Sequence, residues 1–262
     1  MTNDNYLSSL TANTTTADET IECELPSVKI LAHENTTITS SRTSPRGPIY
    51  PVGLSIDPEI ARHLTVWDIK IGANSQIYST GNLPGTLFER SADPMLLHLD
   101  PLLPNMRITL GVLNTSDEEI TFRGQVLVRR QPPPKNESLK VVLPFVSTII
   151  TPESVALLTS CPQLPMAPDF CLYVPPDMLQ CFEVSSLSTE RYLDDVSPHG
   201  VPASQLSAES LIRDGRVDLT RGLPILQHTQ VELTVKNLTK IPQTFRAALL
   251  GSPVLTSGNE NK

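Results

Sequence analysis

Glycine is scarce in this chain, tryptophan occurs once, and the four cysteines never form a Cys-x-x-Cys pair. Without that spacing neither a zinc site nor a dithiol redox motif is supported. Cys23, Cys161, Cys171 and Cys181 are expected to stay thiols in a reducing compartment, Cys181 acting as a small apolar residue beside Phe182. Basic residues are also in deficit: 20 Lys and Arg against 28 Asp and Glu give a net charge of -8 and a pI near 5.1. That balance excludes the basic stripe a duplex-binding protein needs, and it reads as the charge of a soluble surface. No apolar run approaches the ~20 residues needed to cross a bilayer. The N-terminal residues carry Thr, Asn, Asp and Glu but no apolar stretch behind a basic start. Neither a secretory signal nor a transmembrane segment is expected, and synthesis in a cytoplasm follows.

Catalytic constellations are missing too. No Gly-x-Ser-x-Gly, Asp-Thr-Gly or phosphate-cradling glycine loop occurs, and Gly85-Thr86 after Pro84 is too little for a nucleotide site. His33, His63, His98, His199 and His228 never pair as His-x-His or His-x-x-x-His. His98 and Asp100 would share one strand face, which reads as solvated rather than metal-binding. Asp194-Asp195 with His199 lacks the spaced ligand series of a calcium loop and reads as a surface turn. Asn13, Asn35, Asn114, Asn136 and Asn237 head Asn-x-Ser/Thr triplets, for which a turn-forming role is preferred to glycosylation. No catalytic residue, cofactor or metal is expected, and the chain does not read as an enzyme.

Proline is abundant instead, 24 residues against 12 glycines. Each proline removes an N–H donor and clashes with a preceding helical turn, so long helices are excluded. Short strands joined by rigid loops suit this composition.

Above all, the sequence repeats itself. Leu54, Ile56, Pro58, Ile60, Leu64, Val66 and Ile69 recur 118 positions later as Leu172, Val174, Pro176, Met178, Phe182, Val184 and Leu187. After Asp218 the offset becomes 123: Ile108, Leu110, Val112, Asn114 and Thr121-Phe122-Arg123 meet Val231, Leu233, Val235, Asn237 and Thr244-Phe245-Arg246. A tandem duplication predicts two domains. A flexible polar arm covers 1–26, the first repeat 27–130, a stiff, extended Pro-rich linker 131–138, the second repeat 139–251, and a polar tail 252–262.

Within each repeat apolar residues alternate with polar ones, as in antiparallel sheets with one dry face. Strands are expected at 28–32, 36–40, 49–56, 64–71, 76–79 and 95–99, then at 140–146, 170–174, 182–187 and 216–219. The blocks that begin at Asn114 and Asn237 predict hairpin turns whose return strands bring Phe122 and Phe245 inward. Helical turns are expected at 152–159 and 207–213. The fold class is all-β: two tandem β-sandwich or jelly-roll domains. Arg123 and Arg246, at equivalent places, are candidate subunit-interface residues, weighed evenly against exposed arginines that merely cover the sheet.

In these twin repeats, and in segments such as Thr65-Val66-Trp67-Asp68-Ile69-Lys70-Ile71-Gly72 and Asn114-Thr115-Ser116 through Phe122-Arg123, the chain resembles a known family. These are the double jelly-roll major capsid proteins of icosahedral, membrane-containing bacteriophages. The resemblance implies a structural virion protein, made in the host cytoplasm, that self-associates into a homotrimer of six similar lobes. Such a pseudo-hexameric capsomer would tile an icosahedral shell with other capsid proteins, its N-terminal arm near an inner membrane. Repeats this short leave little room for the tower loops common in that family, so a smaller capsomer or a minor shell protein follows. The alternative is a tandem β-sandwich binding module, a virion spike or a glycan-binding surface protein, without catalytic activity.

Overall fold

The computed structural model describes residues 20–41, 47–77, 79, 81–91, 94–134, 137–167, 171–189, 216–218 and 224–254. Its elements begin with β1 (Ile21–Glu24), β2 (Val28–Ile30), β3 (Asn35–Thr39), β4 (Tyr50–Ile56), the one-turn helix α1 (Pro58–Ala61) and β5 (Leu64–Ile71). Then come β6 (Asn74–Ser75), β7 (Leu83–Pro84), β8 (Ile108–Asn114), β9 (Ile120–Phe122) and β10 (Gly124–Arg129). The second half holds β11 (Val141–Pro144), β12 (Thr148–Ile150), β13 (Val155–Ser160), β14 (Cys171–Tyr173) and β15 (Phe182–Thr189). β16 (Arg216–Asp218), β17 (Val231–Asn237), β18 (Gln243–Phe245) and β19 (Ala248–Gly251) complete it. The protein is all-β.

The chain divides into two compact units, Met1–Gln76 with Phe88–Leu139, and Ile77–Leu87 with Lys140–Lys262. In the first, β1-β10-β4 and β3-β8-β5-β6 are the principal sheets, with β2 paired to β9. In the second, the orders are β11-β19-β14-β16 and β13-β17-β15, with β12 paired to β18. Each pairing is antiparallel.

The two units agree residue by residue. Ile21 opposes Val128 and Val141 opposes Gly251; Val28 opposes Phe122 and Thr148 opposes Phe245. Leu54 meets Val126 as Leu172 meets Leu249. A bulge interrupts β5 between Val66 and Asp68, and another interrupts β15 between Val184 and Ser186, so the extra residues are Trp67 and Ser185, 118 positions apart. Non-glycine residues at positive φ are rare, because Cβ crowds the backbone there. The four among the described residues pair off in the same register: His33 (57°) with Glu153 (55°), and Asn105 (67°) with His228 (62°).

Alternation dictates the core. In β17 every second residue is buried, and Val231, Leu233 and Val235 join Leu172 of β14, Leu249 of β19 and Phe245 of β18 in one cluster. The sheets of the second unit therefore close on a shared interior. Phe245 meets Phe182 edge to face, ring centroids 4.9 Å apart. In the first unit Phe122, Ile38, Leu64 and Val112 are sealed from solvent in the same way.

Several expectations are corrected. The segment at 152–159 is not helical: Thr151 to Ser154 form a turn, after which β13 pairs along its length with β17. A waiting partner strand outweighed the local helical signal. The polar arm ends earlier than 26, because β1 adds its N–H and C=O groups to the edge of β10. Residues 95–99 form no strand; Leu97 donates one backbone bond to Val52, occupying beside β4 the place that β16 holds beside β14. The strand expected at 76–79 stops at Ser75, since Gln76 turns inward to pair with Asp100. Phe122 and Phe245 point inward as expected, but their strands are not hairpin returns: β9 pairs with β2 and β18 with β12. Nor is the Pro-rich segment an extended linker. Arg129 and Glu137 close it with a bidentate ion pair at 2.6 and 2.8 Å. The turn expected at 207–213 lies outside the described residues.

Truncating either sealed ring removes its transfer energy and leaves a cavity. Phe122→Ala and Phe245→Ala are each expected to cost about 3–5 kcal/mol. Urea unfolding of the single variants checks this, and a near-zero loss at either site would contradict the shared register.

Candidate functional site

Each unit carries a buried asparagine at the end of its central strand. Asn114 closes β8, and its Nδ2 donates to the carbonyls of Ile30 (3.3 Å), Leu31 (3.0 Å) and Glu118 (2.7 Å). Its Oδ1 accepts from the N–H and the hydroxyl of Ser116 at 2.9 and 2.8 Å, an Asx turn. Asn237 does the same at the end of β17. Its Nδ2 donates to Ile150 and Ile241 at 2.9 Å each, and its Oδ1 accepts from the N–H and hydroxyl of Thr239 at 2.8 Å. The backbone N–H groups of both asparagines also find equivalent acceptors, Glu34 and Ser154. These side chains are fully committed, so a glycan on either is incompatible with the fold. Asn35, by contrast, lies exposed in β3 rather than in a turn, and Asn13 and Asn136 lie outside the described residues.

The two interface candidates lie immediately after these crossings. Arg123 is more than half exposed and reaches back to the start of α1, pairing with Glu59 at 2.9 Å and Asp57 at 3.3 Å. That helix start is built locally: the Asp57 carboxylate accepts from the Glu59 N–H at 3.0 Å, and Pro58 supplies the fixed φ. Arg246 is half-buried. Burial pulls its guanidinium below the usual arginine range, while the field of Asp177, the counterpart of Glu59, acts in the opposite direction. Arg123 is therefore paired inside its own unit, tying the residue after β9 to the start of α1, while Arg246 lies in the field of Asp177. Chain position and composition could not reveal this, because the acidic partners lie over sixty positions upstream.

The weaker candidates are also accounted for. The Asp100 carboxylate accepts from Gln76 Nε2 at 3.0 Å, and its N–H donates to Gln76 Oε1 at 2.8 Å, so a structural amide occupies it. Among the described residues no cluster of three or more His, Cys, Asp or Glu could hold a metal. Asp194, Asp195 and His199 lie outside them. Thr86 accepts from the Tyr173 hydroxyl at 2.9 Å within the second unit. A cavity of about 10 Å³ in the first unit, walled by Leu25, Leu54, Ile69, Leu99 and Leu110 among others, is entirely apolar. It has no polar partners for a water and no room for a ligand. Burial pushes the Cys23 thiol up, whereas Cys161 is exposed. Among the described residues no helix is long and apolar enough to cross a membrane.

Asn114→Ala and Asn237→Ala each take the amide donor from one buried carbonyl, that of Ile30 or Ile150, so losses of roughly 1–3 kcal/mol are expected in denaturant unfolding. Arg123→Ala, whose pairs are exposed, is expected to lose under about 1 kcal/mol in the same assay. Comparison with known proteins places the chain beside none of them: no family model, curated protein or solved structure matches it.

Proposed function

We propose that the chain is a structural virion protein, a subunit of an icosahedral capsid whose twin jelly-roll lobes assemble as pseudo-hexameric trimers. The observation that carries this reading is strand order. Overlaying the two registers gives eight strand places in the principal sheets, the fifth filled by β6 alone and the sixth by β16 alone among the described residues. On that count the second unit supplies the order 1-8-3-6 (β11-β19-β14-β16) and the first supplies 2-7-4-5 (β3-β8-β5-β6). The shared parts of the two units agree. Eight strands wound so that the first lies beside the last, and the second beside the seventh, form the wrapped double Greek key of a jelly roll. Internal duplication of that lobe is supported by the matched registers, the matched bulges and the paired positive-φ residues.

Function enters through symmetry. Three two-lobed chains close into a ring of six similar lobes, a shape that fills hexagonal positions while keeping a threefold axis. The side chains support such a role because a buried asparagine ties each lobe together from within. The segment preceding β1 is polar and rich in threonine, suited to ordering on a neighbouring subunit or an inner layer.

Analytical ultracentrifugation with negative-stain imaging is expected to show trimers, six-lobed rings or larger shells. A strict monomer at high concentration would defeat the reading. Removing residues 1–19 is expected to leave the unfolding transition in place while reducing assembly, because β1 and its pairing with β10 remain.

A further inference from the structure

The two units share a backbone register, which makes each a control for the surface of the other. At one end of the second unit Ile149, Val155, Leu157 and Ile241 stand 57–70% exposed, with Leu238 beside them at 47%. The equivalent places in the first unit are Lys29, Asn35, Thr37, Glu118 and Thr115. Lys29 there makes an ion pair with Glu119 at 2.8 Å, the ordinary behaviour of a solvent-facing edge. The counterparts of that pair in the second unit are Ile149 and Pro242. Of the large apolar residues at this end, Leu31, in the turn after β2, runs the other way. The same fold has thus been given a wet surface in one copy and a dry one in the other. Solubility alone would favour the wet version in both.

The apolar residues cluster around an open edge. Among the described residues β13 pairs only with β17, so its other side presents unpaired backbone N–H and C=O groups. Val155, Leu157 and Thr159 face outward along it, and Ile149 and Ile241 flank its start, where Ile150 and Ile241 are joined through Asn237. Proteins normally guard such an edge with lysine, proline or a bulge. The strand Val155–Ser160 has none of these and no charge at all.

We infer that β13 docks on β13 of a second copy of this chain, antiparallel across a twofold axis, extending the sheet through both molecules. Two features select a second copy over a different partner. The strand is uncharged in a chain of net charge -8, so this edge is where two copies approach with little repulsion. Its flanking charges are also self-complementary. Lys236 lies beside Val155 and Glu232 beside Thr159, at opposite ends of the outward face. A twofold axis near Leu157 lines up the lysine end of one copy with the glutamate end of the other, the unlike charges lying on either side of the two β13 strands. This contact is separate from the threefold ring and does not require it.

The test is Leu157→Lys, with Thr37→Lys at the equivalent place in the first unit as control. By sedimentation, Leu157→Lys is expected to halve the mass of the assembly and to weaken the twofold contact at least about a hundredfold, as loss of a central anchor does. Thr37→Lys is expected to change neither. Both variants should keep the thermal transition of the parent, since both positions are exposed. On a Cys161→Ser background, Val155→Cys, Leu157→Cys and Thr159→Cys add a geometric readout. The residue nearest the axis is expected to give an oxidised covalent dimer, and the outer two are not. Even-numbered species that survive Leu157→Lys would overturn the inference, as would a parent whose mass the substitution leaves unchanged. If trimers persist unaltered in Leu157→Lys, the twofold contact is wrong and the shell reading stands. If dimers fall to monomers and no trimer ever forms, the reverse holds.

Discussion

Two asparagine side chains hold the fold at its least forgiving places. Where β8 leaves one sheet and β9 joins another, the chain crosses the interior end of the unit and leaves carbonyls of Ile30, Leu31 and Glu118 pointing inward. Asn114 is fully buried and its amide reaches all three acceptors, of which Leu31 also accepts from the Glu34 N–H and Glu118 from the Ser116 hydroxyl. Aspartate offers no donor and serine or threonine offers one, whereas a carboxamide supplies two donors and an acceptor from one short stem. The acceptor bends the next residues into the Asx turn that aims β9 at β2. Phe122 is then carried to the centre of the core, and Arg123 emerges beside α1. In the second unit Asn237, Phe245 and Arg246 repeat the sequence of causes.

This hierarchy explains which features were legible in the sequence. Period-two alternation located β5, β8 and β17 closely because each has one dry face, and the hydrophobic pattern alone specifies it. The offsets of 118 and 123 aligned residues whose pairings the structure matches, since core positions change slowly together. What stayed hidden depends on distant partners. β13 begins after Pro152-Glu153-Ser154, a string that locally suits a helix start, and only β17 makes it a strand. The asparagines were legible as turn formers but not as hubs, because their carbonyl partners lie as far as eighty-seven positions away. The arginines were visible as a repeated pair, yet their acidic partners sit on the preceding short turns, in an order that spacing does not reveal.

The outer faces follow a different logic, shown best at the shared bulge. In the first unit the bulged residue is Trp67, and its indole lies so close over Gly111 that an added Cβ would stand 2.4 Å from Cε2. Glycine is therefore demanded there by a neighbour rather than by its own φ. The second unit has Ser185 at the bulge and Thr234 in the glycine's place. One copy fills the spot with a ring and gives up a side chain beneath it; the other keeps a β-branched strand residue and dispenses with the ring. Backbone and register survive both solutions. Surface identity can thus change between copies at small cost to the fold, whereas an altered hub would be felt throughout a unit.

That freedom bears on how twin lobes avoid uncontrolled growth. A chain with two sticky sheet edges has two valences, and two valences without ring closure make a filament. Here the first unit's equivalent edge, β3, faces outward with Asn35 and Thr37 beside the Lys29–Glu119 pair. Water competes well for such a surface, and a charged pair must be desolvated before another strand can approach. Among the described residues β13 combines an open backbone edge with a run of apolar outward side chains, whereas β3 does not. On the twofold contact inferred for β13, edge-to-edge pairing joins two copies, and further growth would use contacts of different symmetry. The polar edge of the first unit would then matter to that inferred contact as much as the apolar edge of the second, since it offers no equal site for the same pairing.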